Sequence, residues 1–185
     1  MGQWFKAKEI EVAGPQQKNI VRPTPQKPGL FAGQDPNRRC VGSKYANFFA
    51  QNYEPVAKMA DQYGNDATLP LGLASFESGW GLSRMAQEQN NPHGTTPDGK
   101  TGRSFSSIPT AWDFWGRQWG PRVRDFGGDQ ALFIRRLLED NRKKKGAIDH
   151  HGAYNSEHPL EWASGVAGGV ASVRKRLEDW KKYRC

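Results

Sequence analysis

Burial of a carboxyl in apolar surroundings favours its neutral, proton-bearing form. Glu77 is placed for that effect, because it closes the run Leu71-Gly72-Leu73-Ala74-Ser75-Phe76-Glu77 and is followed by Ser78-Gly79-Trp80-Gly81. The two glycines end a helix and open space beside the carboxyl, as a cleft requires. A protonated carboxylic acid in a cleft does general acid chemistry. Taken alone, a glutamate at a helix end is better explained by capping or an ion pair, so its neighbours must decide.

Other reactive residue types are sparse. His93, His150, His151 and His158 make no metal motif, since the adjacent His150-His151 pair lacks the i, i+4 geometry of a shared ion on a helix. Cys40 and Cys185 have neither CxxC spacing nor a nearby histidine, so no metal and no cofactor is expected. The two cysteines either form one bridge, tying the amino-terminal arm to the final helix, or stay as two buried thiols.

The elements that would position Glu77 are helical. Residues 1–42 contain Pro23-Thr24-Pro25 and Pro28 with little periodicity, which reads as a proline-rich linker or extended arm; the compact domain is expected over 43–185. Tyr45, Phe48, Phe49, Val56, Met59 and Tyr63 recur at helical spacing, and Pro55 must either kink that helix or open a second one. Thr68 as N-cap and Pro70 in the first turn start the short apolar helix that ends at Glu77. Ser83 to Gln89 reads as another short helix, and Asn90 to Pro109 as a loop or small β-hairpin lobe. Thr110-Ala111-Trp112-Asp113 resembles a capped helix start. A further helix is expected from Asp129 to about Lys144, with the basic run at its carboxyl end. The final helix is the clearest, with Trp162, Val166, Val170, Val173, Leu177 and Trp180 at steps of three and four, and Gly165, Gly168 and Gly169 allowing close backbone approach. Strand-like alternation is nearly absent, so the fold class is mainly α.

The chain of 185 residues carries a formal charge of +8, which draws it towards polyanions without choosing among them. The basic clusters form no nucleic-acid motif. No apolar run is long enough to span a bilayer, and the amino terminus lacks the apolar core of a signal peptide.

Two spaced motifs add a family resemblance. Glu77-Ser78-Gly79-Trp80-Gly81-Leu82-Ser83, followed by Asn90-Asn91-Pro92-His93-Gly94, resembles the E-S-G-x-G-x-S run and N-N-x-x-G turn of the glucosaminidases of glycoside hydrolase family 73. The resemblance implies a lysozyme-like helical domain with a small lobe and a central substrate cleft, and it makes Glu77 the catalytic acid. It also places Trp80 at the cleft and makes Ser78, Trp80, Asn91 and His93 substrate-binding candidates. Trp112, Trp115 and Trp119, at near-helical spacing, read as core. Ala153-Tyr154-Asn155-Ser156 precedes the last helix much as a tyrosine-bearing segment does in family members. Tyr154 therefore either orients the substrate's acetamido group or the attacking water, or packs under that helix.

Glycosidic cleavage also needs a group on the opposite face of the sugar. Between His93 and Phe105 this chain offers Asp98, in the turn signature Pro97-Asp98-Gly99. Asp98 is thus either the second catalytic carboxylate or a turn residue, in which case the sugar's own N-acetyl group takes that part. Asp113 and Asp125 are weaker candidates.

The expectation is a hydrolase of the β-1,4 glycan strand of peptidoglycan, acting after N-acetylglucosamine or N-acetylmuramic acid. It would work outside the cytoplasm as an antibacterial effector or phage-associated lysin, with an immunity or carrier protein as partner. Binding of nucleic acid and insertion into membrane are not expected. The alternative is a wall-binding module that keeps the fold without turnover.

Overall fold

The computed structural model describes residues 40–96 and 101–185, which form six α-helices: α1 (Ser43–Gln62), α2 (Thr68–Glu77), α3 (Arg84–Gln89), α4 (Ile108–Trp119), α5 (Gln130–Leu138) and α6 (Pro159–Tyr183). A 3-10 turn, Gly120–Val123, follows α4. No strand is present among the described residues; one isolated parallel bridge joins Asn65 to Gly127. The mainly α class is observed. The described residues of the expected lobe between α3 and α4 contain no strand; Arg103 N–H bonds Thr95 O (2.9 Å) and Phe105 N–H bonds Gln89 O (2.8 Å). The proline-rich arm lies outside the described residues except for 40–42.

Helix α2 is the centre of the domain. Thr68 through Ser75 are all buried, which explains why this segment shows no amphipathic period. Around it pack Phe48, Phe49, Val56 and Met59 of α1, Trp112 and Trp115 of α4, Phe133 and Leu137 of α5, and the α6 stripe Trp162, Val166, Val170, Val173, Leu177 and Trp180. Every residue of that stripe is buried, as its spacing predicts.

The α2–α6 crossing depends on bare backbone. A Cβ at Gly169 would overlap the Gly72 carbonyl oxygen, one at Gly72 would overlap Val170, and one at Gly165 would overlap the Phe76 ring. Gly168 meets nothing within 4 Å, so two of the three expected α6 glycines serve the crossing. The approach lets Glu77, at the end of α2, reach side chains near the start of α6.

Several boundaries differ from expectation. One helix runs through Pro55, so no second helix opens there. Thr68 is the first residue of α2 rather than its cap; Asp66 Oδ1 accepts the Thr68 N–H (2.8 Å). Helix α4 starts at Ile108, with Ser107 rather than Thr110 as N-cap, because the Ser107 hydroxyl accepts the Thr110 N–H while Pro109 occupies the first turn. Helix α5 ends at Leu138, well short of the basic run. Its last carbonyls find other donors: Tyr154 N–H bonds Leu137 O (2.8 Å), and the Arg122 guanidinium bonds Glu139 O (2.9 Å).

Cys40 and Cys185 form a disulfide, with Cα atoms 4.9 Å apart. Beside it, Val41 N–H donates to Cys185 O (2.9 Å), so the start of α1 and the end of α6 are joined by both a covalent and a hydrogen bond.

Candidate active site

Glu77 is half-buried at the carboxyl end of α2. The chain turns sharply just beyond it: Gly79, Trp80 and Gly81 all have positive φ (57°, 67° and 78°), a conformation glycine adopts freely and tryptophan rarely. Ser78 holds this reversal, its hydroxyl donating to Ala74 O (2.6 Å) and accepting from Gly81 N–H (2.8 Å). The turn leaves the Glu77 side chain facing the first turns of α6 and the Asn90–Gly94 segment.

One carboxyl oxygen, Oε1, accepts the indole N–H of Trp162 at 2.6 Å. The other, Oε2, lies against Gly94, where an added Cβ would sit 3.2 Å away. Gly94 has φ 68°, so glycine serves both the turn and the close approach. Burial raises the pKa of Glu77, and the Trp162 hydrogen bond opposes that rise only in part. The site at a helix carboxyl terminus, where negative charge is disfavoured, works in the same upward direction.

Tyr154 reaches the same site from the segment before α6. Its ring packs on Trp162 (centroids 5.5 Å apart) and Trp119 (4.8 Å). Its hydroxyl donates to His93 O (2.7 Å) and accepts from Trp115 Nε1–H (3.3 Å). Burial holds the phenol pKa well above its ordinary value, with a further contribution from the charge of Glu77. The structure thus brings Glu77, Tyr154 and the Asn90–Gly94 turn together.

The other candidates from the sequence are placed differently. Ser78, Asn91 and His93 are 0–1% exposed, with their polar atoms bonded inside the protein. The Asn91 amide donates to Thr95 O and Arg103 O and accepts from Thr95 N–H. His93 Nε2–H donates to Ala111 O (3.0 Å) and Nδ1 accepts from the Thr95 hydroxyl (2.8 Å), an arrangement that fixes the neutral tautomer; burial lowers the ring pKa to about 4. These three side chains shape the wall of the site and present no free polar atom to a ligand. Trp80 is part-buried and packs edge-on against Tyr45 (4.6 Å) and Phe48 (5.3 Å). Trp112 and Trp115 are core residues. Asp98 lies outside the described residues. Asp113 pairs with Arg117 on the exposed face of α4, and Asp125 sits against Gly64. Among the described residues, no group of three or more His, Cys, Asp or Glu side chains could hold a metal ion.

Two residues that matter were not singled out from the sequence. Trp162 reads there as a core residue, which it is, yet its N–H is the polar partner of Glu77. Arg122 is fully buried and organises residues 139–152: Nε donates to Asp149 Oδ2 (2.8 Å), Nη2 pairs with Asp149 Oδ1 and donates to His151 O (3.0 Å), and Nη1 donates to Glu139 O and Gly152 O. That segment carries Tyr154 into place.

The fold is similar to that of a chain in a type VI secretion system effector–immunity complex from Pseudomonas protegens, with a TM-score of 0.58 at 21% identity, over 75% of this chain and 97% of that one. At that identity the likeness is one of fold. No protein-family model matches the sequence, and no curated protein matches it. The resemblance to glycoside hydrolase family 73 therefore rests on the two short sequence motifs, and none of these comparisons supports it.

Proposed function

We propose that this protein is an antibacterial effector that hydrolyses the β-1,4 glycan strand of peptidoglycan, with Glu77 as the general acid. The observation that carries the reading is the setting of Glu77: a half-buried carboxyl at the edge of the helical core, held by one indole N–H and faced by the glycine of the Asn90–Gly94 turn. A carboxyl whose burial favours the proton-bearing form is suited to deliver that proton to a glycosidic oxygen. The opposite face of the sugar is served by Asp98 or by the substrate's own acetamido group. With its hydroxyl committed to His93 O and Trp115, Tyr154 braces the site rather than orienting the acetamido group or the attacking water.

Three features support the cellular side of the reading. The net charge of +8 favours adhesion to anionic wall polymer. The Cys40–Cys185 bridge suits an oxidising, extracytoplasmic compartment. The neighbour of similar fold belongs to an effector–immunity complex, in keeping with an effector that has an immunity protein as partner.

The test is digestion of purified sacculi, with mass analysis of the released fragments. Soluble muropeptides are expected, and the sugar at the new reducing end distinguishes glucosaminidase from muramidase. Sacculi that bind the folded protein without releasing fragments would overturn the hydrolase and leave a wall-binding module. Toxicity on routing to the periplasm, absent in the cytoplasm, is the expected counterpart in cells.

A further inference from the structure

We propose that Trp162 and Tyr154 form a clamp that fixes which oxygen of Glu77 carries the transferable proton. Trp162 holds Oε1, and Tyr154 ties that indole to the turn that flanks Oε2 on one side. The inference rests on the reading of Glu77 as a general acid.

An indole N–H is a donor only, so the oxygen that accepts it cannot direct an acidic proton along the same line. Neutral Glu77 thus carries its proton on Oε2. Trp162 is 3% exposed, packed at a tilt against Tyr154 and buried in the α6 stripe, so its surroundings hold the indole against Oε1. On the other side, the turn comes up to Oε2 only because position 94 has no side chain. Tyr154 touches both halves: its ring lies on Trp162, and its hydroxyl holds the carbonyl of His93, the residue before Gly94. Both are positioning residues.

The proton state of Glu77 is set by burial, which favours the neutral form, and by the Trp162 hydrogen bond, which opposes it in part. Tyr154 is part-buried with its pKa raised well above the ordinary phenol value, so it is neutral, and His93 is neutral with its pKa at about 4. Helix α2 has no other titratable residue, and Glu161, beside Trp162 on α6, is exposed. In the reaction the proton leaves Oε2 for the leaving oxygen, which also takes the electron pair of the breaking C–O bond. The negative charge left on Glu77 is met by the Trp162 N–H. That bond strengthens as the charge develops, so it favours the transition state over the ground state.

The test begins with unmodified protein, following the Trp162 indole proton and the Glu77 carboxyl carbon by NMR across a pH titration. Both should follow one curve, the indole proton moving downfield as Glu77 ionises, and Glu77→Gln should abolish the indole change. In Trp162→Phe the Glu77 midpoint should rise by roughly one pH unit, as for loss of a single hydrogen bond to the ionised form. The alkaline limb of kcat on sacculi should move with it, kcat falling about tenfold and KM staying within about twofold. Tyr154→Phe, which keeps the ring and loses the bond to His93 O, should give a smaller loss in kcat. An indole proton insensitive to the Glu77 titration, or an unchanged Glu77 midpoint in folded Trp162→Phe, would overturn the clamp. If Trp162→Phe does not fold, the titration of the wild-type protein decides alone. An indole that follows Glu77 in a protein releasing no muropeptides would sink the hydrolase reading and leave the hydrogen-bond assignment standing.

Discussion

Glu77 and Asp149 are two carboxylates pushed in opposite directions. Asp149 receives both arms of the buried Arg122 guanidinium and the His151 N–H, and these donors hold its pKa below the ordinary range. Glu77 receives one neutral indole N–H, and desolvation prevails. Burial therefore does not decide a carboxyl's protonation by itself; the number and charge of its donors do. The well-supplied carboxylate is a structural fastener, and in the one left short of donors the balance shifts towards the neutral form.

The sharpest way to break that comparison is to remove the proton. Glu77→Gln keeps the shape and the Trp162 bond, and muropeptide release should fall by about 10²–10⁴-fold with the helical circular dichroism unchanged. The same variant should not lose stability at neutral pH. A carboxyl whose folded pKa is raised costs stability once the pH exceeds its unfolded value of about 4.3, so the glutamine form should be at least as stable at pH 7 and lose that advantage in acid.

The Asp149 side of the comparison is tested through its partner. Arg122→Ala leaves a carboxylate and several carbonyls without donors, and should cost about 3–5 kcal/mol in urea unfolding. The paired change Arg122→Met with Asp149→Leu should recover part of this loss. A cost within experimental error for Arg122→Ala would remove the fastener from the account.

A third group extends the contrast to a base. His93 is buried neutral with its pKa at about 4, below its unfolded value of about 6.5. The unfolded chain therefore binds the proton more readily, and stability should decline as pH falls from about 6.5 towards 4, by on the order of 3 kcal/mol. Urea midpoints of the wild type and His93→Gln across that window should converge in acid if this ring is responsible. The smallest expected effect is Gly169→Ala, which forces a Cβ onto the Gly72 carbonyl and should cost about 1–3 kcal/mol in thermal or urea unfolding.

The periodic parts of the fold were legible in the sequence and the reciprocal parts were not. Helix α6 could be read residue by residue because its buried stripe repeats, and Glu77 stood out because a carboxyl interrupts an apolar run. Trp162 sits in that same stripe, where periodicity reports which way the ring points and says nothing of where its N–H goes. Arg122 gave no signal at all: one arginine between Pro121 and Val123 looks like any solvated charge until the carbonyls of residues 139–152 gather round it. The premature end of α5 has the same origin, since its closing donors come from Arg122 and Tyr154, at least fifteen residues away. Motif spacing brought Asn91 and His93 to the site but could not reveal that their polar atoms were already spent on the turn itself.

The bridge between Cys40 and Cys185 makes residues 40–185 a covalently closed ring. Tension applied across those two positions passes through the sulfur atoms and bypasses the helices, so the oxidised domain resists extension by pulling at that pair. An oxidised chain stripped of all its helices would still travel as a doubled strand. A channel that admits only one extended polypeptide would exclude it, so passage requires either the dithiol form or an opening wide enough for the domain intact.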